Sequence, residues 1–494
     1  MRSHPVDCHR VAGRLLAFGG VWMLGLGLAA GETLPTRGPT ASSSAMGRSI
    51  PGLAGSDSPY LGHTGSWDGK GGGIFGSSKI PDLDREVAMG LRWTFMPVHW
   101  RAMEPRGPVD PEKDVPPAWE ALDRFVIAAH ERGLNILMQA PVIGGNAGGP
   151  PDWAGRREPG KSAPADMAAV AAFAGKLARR YRPGGALARR EGWRNTYGVR
   201  AWELDNEPDS YRTHWKGQAA DYAEFAALVR QAIHAEDAGA VIVLPGTPVG
   251  ARSLAWLEAA LDAYALRGSP AFRRAGKPFS IGPVTDTVSF HLYEGLDSFF
   301  SGEKRTVDQA LSEVREVFER WSTRAEGFEF APPRAYWHTE GNYDFVGLMA
   351  EHRRAAWRVQ FMTRAFAAGV DKVCVMDAAP KEQAAVTAYV VALPNPFPMF
   401  RETDASLVTR GRAMVFRHPD GLEPDAGQVW VAWAEAGQGD ALVELPVRRG
   451  SVRFVYVDGA FRDVTVKEGR VRVALSGDEK MAPPILVVDR APAN

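Results

Sequence analysis

From residue 79 onward the chain alternates two kinds of hydrophobic pattern. Segments such as "PAWEALDRFVIAAHERG" and "ADMAAVAAFAGKLARRY" repeat apolar residues every three or four positions, the spacing of one helix face. Between them lie short, nearly continuous apolar runs, among them "LNILMQAPVIG", "AVIVLPGTP" and "VDKVCVMDA", with the length and composition of strands. "IPDLDREVAMG" reads as a helix stopped at Gly90 and "LRWTFMPVHW" as the strand after it, and the pairing then repeats to residue 377. Seven such strands fall between residues 91 and 377, and one more, the first, is expected between residues 50 and 78. Strands alternating with helices predict a parallel sheet covered by helices. Eight units over about 330 residues fit an α/β fold of the (β/α)₈ barrel type with long loops. A doubly wound open sheet is the rival, but it usually carries a Gly-rich phosphate turn after an early strand, and none stands in that context.

Beyond about residue 400 the helical period gives way to alternation between turn signals. "GQVWVAWAEA", "DALVELPV", "VRFVYVDG", "FRDVTVKEGRVRVAL" and "PPILVVDR" predict a C-terminal antiparallel β-sandwich over residues 401–494, packed on a barrel spanning residues 51–400. Residues 141–165 and 378–400 read as the loops that shape a cleft. At the other end, Arg2, Arg10 and Arg14 precede the apolar run "LLAFGGVWMLGLGLAAG", the pattern of a signal peptide over residues 1–30. A Ser/Gly/Pro-rich linker over residues 31–50 follows. Cleavage near Ala29 or Ala30 would remove Cys8 and leave Cys374 with no internal partner. An uncleaved anchor is the alternative. No later stretch is long and apolar enough to span a bilayer, so the expectation is a secreted or periplasmic protein.

The 494 residues carry 58 basic and 58 acidic side chains. That balance argues against a nucleic-acid or membrane-surface partner, both of which call for excess positive charge. Fifteen tryptophans and eleven tyrosines supply aromatic faces of the kind that sugar-binding clefts use, although the ordinary place of an aromatic ring is the core.

The candidate chemistry begins at "WELDNEPDS", which sets Glu203, Asp205, Glu207 and Asp209 at the end of the fourth barrel strand. Buried carboxylates are costly unless paired, hydrogen-bonded or used, so the cluster reads as the rim of a site. In such barrels the working residues stand at the C-terminal strand ends. Those positions hold His99 and Trp100, then Gln139 with Asn146 beyond, then Asn206 and Glu207, His291 and Tyr293, and finally His338 and Glu340. Two glutamates facing one mouth about 5 Å apart suit glycoside hydrolysis with retention, one as nucleophile and one as acid/base. Glu207, followed by Pro208, fits the acid/base and Glu340 the nucleophile. By alternation Glu203 and Asp205 share the face of Glu207, where one of them would be a buried partner, and His338 shares the face of Glu340 one layer deeper. Trp100, Trp153 and Trp337 are candidate sugar platforms, with core packing as the competing explanation. His99, His291 and His338 with carboxylates are residue types that bind zinc, but no close His-x-x-x-His or Cys pair exists and double displacement needs no metal, so no cofactor is expected.

"WELDNEPD" resembles the Asn-Glu-Pro signature of the clan A glycoside hydrolases, "SFHLYEG" their strand-six His-x-Tyr segment and "YWHTEG" their strand-seven nucleophile segment. "PPDWAG" followed by "DMAAVAAFAGKLARRY", and "WRAMEPRG" after the second strand, are similar to family 39 enzymes, the β-xylosidase and α-iduronidase relatives, and to related bacterial endoglycosidases. The likeness covers about residues 79–377. It implies that Glu207 is the acid/base, Glu340 the nucleophile, Asn206 a partner of the sugar 2-hydroxyl and Tyr293 the residue that orients the nucleophile, with an oligo- or polysaccharide as substrate. Two positions depart from the pattern: Phe95 stands where relatives often have arginine, and Met376 with Asp377 where many carry a tryptophan. The rival readings are a catalytically inactive carbohydrate-binding barrel and a barrel hydrolase that uses the carboxylate pair on non-sugar substrates.

Overall fold

The computed structural model describes residues 58–489, apart from 64, 68–78, 144–148, 159–161, 195, 210–217, 249, 267–286, 295–304, 325–334, 344–348, 377, 395–398, 403–407, 418–426, 479 and 480. The chain divides after Ser43, and every described residue belongs to the second unit. The expected signal peptide, linker, Asn146 and Asp377 lie outside the described residues.

Eight parallel strands close on themselves: β1 Tyr60–His63, β2 Trp93–His99, β3 Asn135–Val142, β4 Ala201–Glu203, β5 Val241–Pro248, β6 Thr287–His291, β7 Ala335–Glu340 and β8 Lys372–Met376. The first strand, placed by sequence only within residues 50–78, is Tyr60–His63, paired with both β2 and β8. The helices are α1 Leu83–Ala88, α2 Trp100–Met103, α3 Pro117–Glu131, α4 Met167–Tyr181, α5 Ala186–Arg190, α6 Ala219–Glu236, α7 Ala251–Leu266, α8 Val307–Arg324, α9 Glu351–Ala368 and α10 Pro380–Ala392. Alternate strand residues fill the barrel, Leu61, Phe95, Leu137, Val243 and Cys374 among them, while their neighbours pack under the helices. At the N-terminal end Lys372 closes the interior. Its Nζ donates to the Ser58 carbonyl at 2.6 Å and stands 4.4 Å from the Trp93 ring and 5.2 Å from that of Trp337.

Helix α10 corrects the reading of residues 378–400 as a loop. Pro380 occupies its first turn, and Glu382 bonds the backbone N–H of Ala379. Its buried residues include Ala385, Val386, Ala388, Tyr389 and Val390, which leave no single apolar stripe for a periodicity to reveal. It is covered on more than one side because it lies where the barrel meets the C-terminal domain. There, Glu382 accepts from Arg354 at 2.9 Å and from Arg358 at 2.8 Å.

The C-terminal strands are β9 Met399–Glu402, β10 Val408–Thr409, β11 Gly411–Arg417, β12 Gln428–Ala434, β13 Ala441–Pro446, β14 Ser451–Tyr456, β15 Phe461–Thr465, β16 Arg470–Leu475 and β17 Ile485–Asp489. They form a six-stranded sheet in the order β9-β11-β12-β17-β14-β15 and a three-stranded sheet β10-β13-β16, the expected sandwich. Val415, Trp430, Val443, Val473 and Val487 fill the space between the sheets. The outer face of the larger sheet, with Phe416, Val429, Val431 and Leu486, joins the main core instead. Hence β12 is buried along its whole length, whereas β13 and β16 alternate buried and exposed. Gln360 on α9 donates to the Ala482 carbonyl at 2.6 Å, and Arg353 pairs with Asp478 at 3.1 Å, pinning the sandwich to the barrel. Among the described residues no helix is long and apolar enough to cross a membrane.

This packing carries a stability consequence. Phe416 is fully buried against the barrel side, so Phe416→Ala is expected to cost roughly 3–5 kcal/mol. Leu442→Ala, at a side chain 51% exposed, is expected to stay within about 0.5 kcal/mol of wild type. Urea denaturation of the two variants checks both values, and similar midpoints would contradict the placement of the sheet.

Candidate active site

The site is built on a carboxylate that touches no solvent. Glu203 ends the β4 ladder with no exposed surface. Its Oε1 accepts from the Gly246 backbone N–H at 3.1 Å, the Thr339 hydroxyl at 2.9 Å and the Ser289 hydroxyl, while its Oε2 accepts from Gln139 Nε2 at 3.1 Å. Those donors come from β5, β7, β6 and β3 in turn. Burial raises the Glu203 pKa, opposed by the charge of His291 and by the hydroxyl and backbone donors.

Past Glu203 the extended reading of "WELDNEPD" is corrected. The ladder stops there, and Asp205 and Glu207 take φ values of 70° and 39°, the left-handed region that non-glycine residues seldom occupy. Such conformations cost on the order of 1–3 kcal/mol each and persist where surrounding contacts hold them. Several do. The Ile143 backbone N–H donates to Asp205 Oδ1 at 3.0 Å, Tyr222 donates to the Leu204 carbonyl at 2.9 Å, and Gln139 Nε2 reaches Asn206 Oδ1 at 3.1 Å. Ser253 at the start of α7 donates to Asp209, whose carboxyl is pushed up to about 6, mainly by burial. Because alternation breaks at residue 205, Asp205 does not share the Glu207 face. It braces the turn against β3.

Strand β6 points Ser289 and His291 inward, and Tyr293 follows just past its end. On β7 strict alternation would turn Glu340 to the helix side with His338. Instead, Phe290 pairs with His338 and His291 with Glu340, so Thr339 is an extra residue and the ladder shifts. Such a bulge re-aims the side chain that follows it. Glu340 enters the mouth, where Tyr293 donates to its Oε1. His291 Nδ1 stands 2.8 Å from Glu207 Oε1 and 3.9 Å from Glu340 Oε2. One oxygen of each glutamate and one ring nitrogen of His291 all lie within 4.8 Å of one another. The two glutamate side chains keep 15% and 18% of their surface, enough to meet a ligand, while the His291 side chain keeps none.

Burial works against charge on His291, but Glu340, Glu207 and Glu203 together raise its pKa to about 9. It is therefore an imidazolium at neutral pH and donates its Nδ1 proton to Glu207. Burial and the charge of Glu340 raise the Tyr293 pKa well above the usual phenol, which keeps its hydroxyl a donor. Glu207, His291 and Glu340 are also residue types that ligate a divalent cation, but a metal would first have to displace the His291 proton.

The structure thus gathers Asn206, Glu207, His291, Tyr293 and Glu340 at one mouth. The other candidates are placed as follows. Trp100 is fully buried, stacked on Phe173, with its indole N–H on Glu104 at 3.0 Å, so it offers no face to a sugar. Trp337 lies inside the barrel against Trp93, at the level of Lys372. His338 faces α9, 4.8 Å from the Phe361 ring, and burial lowers its pKa to about 3. His99 is buried at the start of α2. Trp153 is half-buried beyond β3, with its edge on Trp100 and its N–H on the Glu104 carbonyl at 2.7 Å. Phe95 packs against His63 at 4.4 Å, and Met376 Sδ stands 3.8 Å from the Tyr293 oxygen. The sequence reading passed over Ser289, Gly246 and Thr339; Ser289, two residues before His291 on the same face, was the one a period of two could have flagged.

No family model matches the chain, and no curated protein matches it. Among solved structures it is similar to a glucosidase from Croceicoccus marinus, at TM-score 0.54 and 13% identity over 83% of this chain and 92% of that one. It is likewise similar to AbfB, a family 51 alpha-L-arabinofuranosidase from Bifidobacterium longum, at TM-score 0.52 and 14% identity over 88% and 95% of the two chains. A monomeric beta-xylosidase from Caulobacter crescentus CB15 aligns at TM-score 0.52 and 14% identity over 83% and 92%. At such identities what is shared is the fold.

Proposed function

We propose that this chain is an exported retaining glycoside hydrolase that cleaves O-glycosidic bonds by double displacement. One observation carries the reading: oxygens of Glu207 and Glu340 lie within 4.8 Å of each other at the open end of the barrel. Retaining enzymes hold their carboxyl groups about 5–5.5 Å apart, whereas inverting enzymes need roughly 6.5–9.5 Å to admit a water. The motifs favour clan A and, within it, the family 39 pattern. The fold neighbours described above are named as glycosidases, which supports a saccharide substrate. The arginines and apolar run at the N-terminus support export.

In this mechanism a Glu340 oxygen forms a bond to the anomeric carbon while the bond to the leaving oxygen breaks. Glu207 gives its proton to that oxygen. The negative charge left on Glu207 meets the Nδ1–H of His291. Water then gives a proton back to Glu207, its oxygen bonds the anomeric carbon, and Glu340 leaves as a carboxylate. Tyr293 holds Glu340 by one oxygen, leaving the other for attack. Gln139 fixes Asn206 beside the reacting centre, placed to meet the 2-hydroxyl.

Proton NMR during hydrolysis of an aryl glycoside or polysaccharide is expected to show a first product with the anomeric configuration of the substrate; an inverted product rejects the double displacement. Glu340→Gln is expected to abolish turnover on every substrate. Glu207→Gln is expected to lose roughly 10²–10⁴-fold on poor leaving groups and far less in bond cleavage on activated aryl glycosides. Equal losses on both substrate classes would remove Glu207 as proton donor.

A further inference from the structure

Three ladder irregularities surround the mouth, and one side chain binds a residue at each. On β5 the register against β6 shifts between Leu244 and Thr247, which makes room for Gly246. On β7 the shift falls at Thr339. On β3 the register against β2 shifts just beyond Gln139. Gly246 N–H, Thr339 hydroxyl and Gln139 Nε2 all donate to Glu203, and so does Ser289 of the intervening β6. A β-carbon on Gly246 would come within 2.0 Å of the His291 ring, so the absence of a side chain at Gly246 is what admits that ring.

We propose that Glu203 is the positioning residue of this pocket: by drawing the bulged residues of β5 and β7 onto one buried side chain, it sets His291 and Glu340, and through Gln139 it sets Asn206. The inference rests on the reading of Glu207 and Glu340 as the reacting pair, and it assigns Glu203 no contact with substrate. Glu203 also contributes to the charge on His291, whose other neighbours are Glu207 and Asp209 on the β4 turn, Glu340 and the neutral His338 on β7, and Tyr293 beyond its own strand.

The test uses the full chain with Glu203→Gln, Thr339→Val and Thr339→Ser. Glu203→Gln is expected to lower kcat on the order of 10²-fold with little change in KM, the signature of misplaced groups. Thr339→Val is expected to lose kcat in the same sense, and Thr339→Ser, which restores the hydroxyl, to recover most of it. Independently of activity, NMR titration of His291 is expected to give a midpoint near 9 in the wild type and a lower one in Glu203→Gln. The sign follows from linkage. The folded pKa lies above the ordinary 6.5, so the imidazolium contributes stability that is complete below about 6.5 and lost as pH rises through about 9. In Glu203→Gln that loss is expected to be complete at lower pH. Unchanged kcat in Glu203→Gln and Thr339→Val together with an unmoved His291 midpoint would overturn the inference. A wild type that cleaves no glycoside would instead overturn the proposed function, and the His291 titration would still decide the role of Glu203. Should Glu203→Gln fail to fold, the contrast between Thr339→Val and Thr339→Ser decides it.

Discussion

A carboxylate sealed from water inside a barrel is tolerable only if protein donors replace the lost hydration. Glu203 meets that demand with donors from β3, β5, β6 and β7. An ionised group with no hydrogen bonds at such a depth would be strongly unfavourable. The same demand shapes its surroundings. To reach Glu203, Gly246 and Thr339 leave the regular ladder, and each departure re-aims what lies beside it. The irregularities at the mouth of the barrel thus surround a buried acid.

Above this acid the electrostatics are those of one cation among several anions. His291 is enclosed, and its charge is sustained by Glu203, Glu207 and Glu340 against the cost of burial. An imidazolium there offsets the negative charge that this group of acids carries in a small volume. Tyr293 and His291 divide the work of orientation, one bonded to Glu340 and the other to Glu207. Both glutamate side chains keep part of their surface exposed at the mouth. Phe95 and Met376, the two departures from the family pattern, belong to the apolar cluster inside the barrel.

The scaffold that holds this geometry is thick on the side of β7 and β8. Helices α9 and α10 lie between the barrel and a six-stranded sheet whose outer face they share. Arg358, fully buried, joins the Met376 carbonyl at the end of β8 to Glu382 of α10, and Glu382 is shared with Arg354. Glu294, just past Tyr293, accepts from Trp357 and Arg364 of α9. The C-terminal domain therefore supports the strands that carry Tyr293 and Glu340 from behind.

The alternation of helical and strand patterns was enough to determine the barrel, since repeated units with one apolar face have few ways to bury it. The switch to period two did the same for the sandwich. Glu207 and Glu340 were legible because strand ends of a parallel barrel converge, so chemistry at the ends of the fourth and seventh strands shares one mouth. What no local pattern carried was the break in alternation. A period of two holds only while the ladder is regular, and it fails at Asp205 and at Thr339. Those breaks sent Asp205 to brace β3, and turned Glu340 inward, away from the helix side where His338 stays. Helix α10 escaped notice for a related reason, since partners on several sides erase the stripe that marks a helix on a surface. Periodicity is written by short-range geometry and can be read along the chain. Bulges and enclosed charges are decided between strands distant in sequence, and exist only once the barrel has closed.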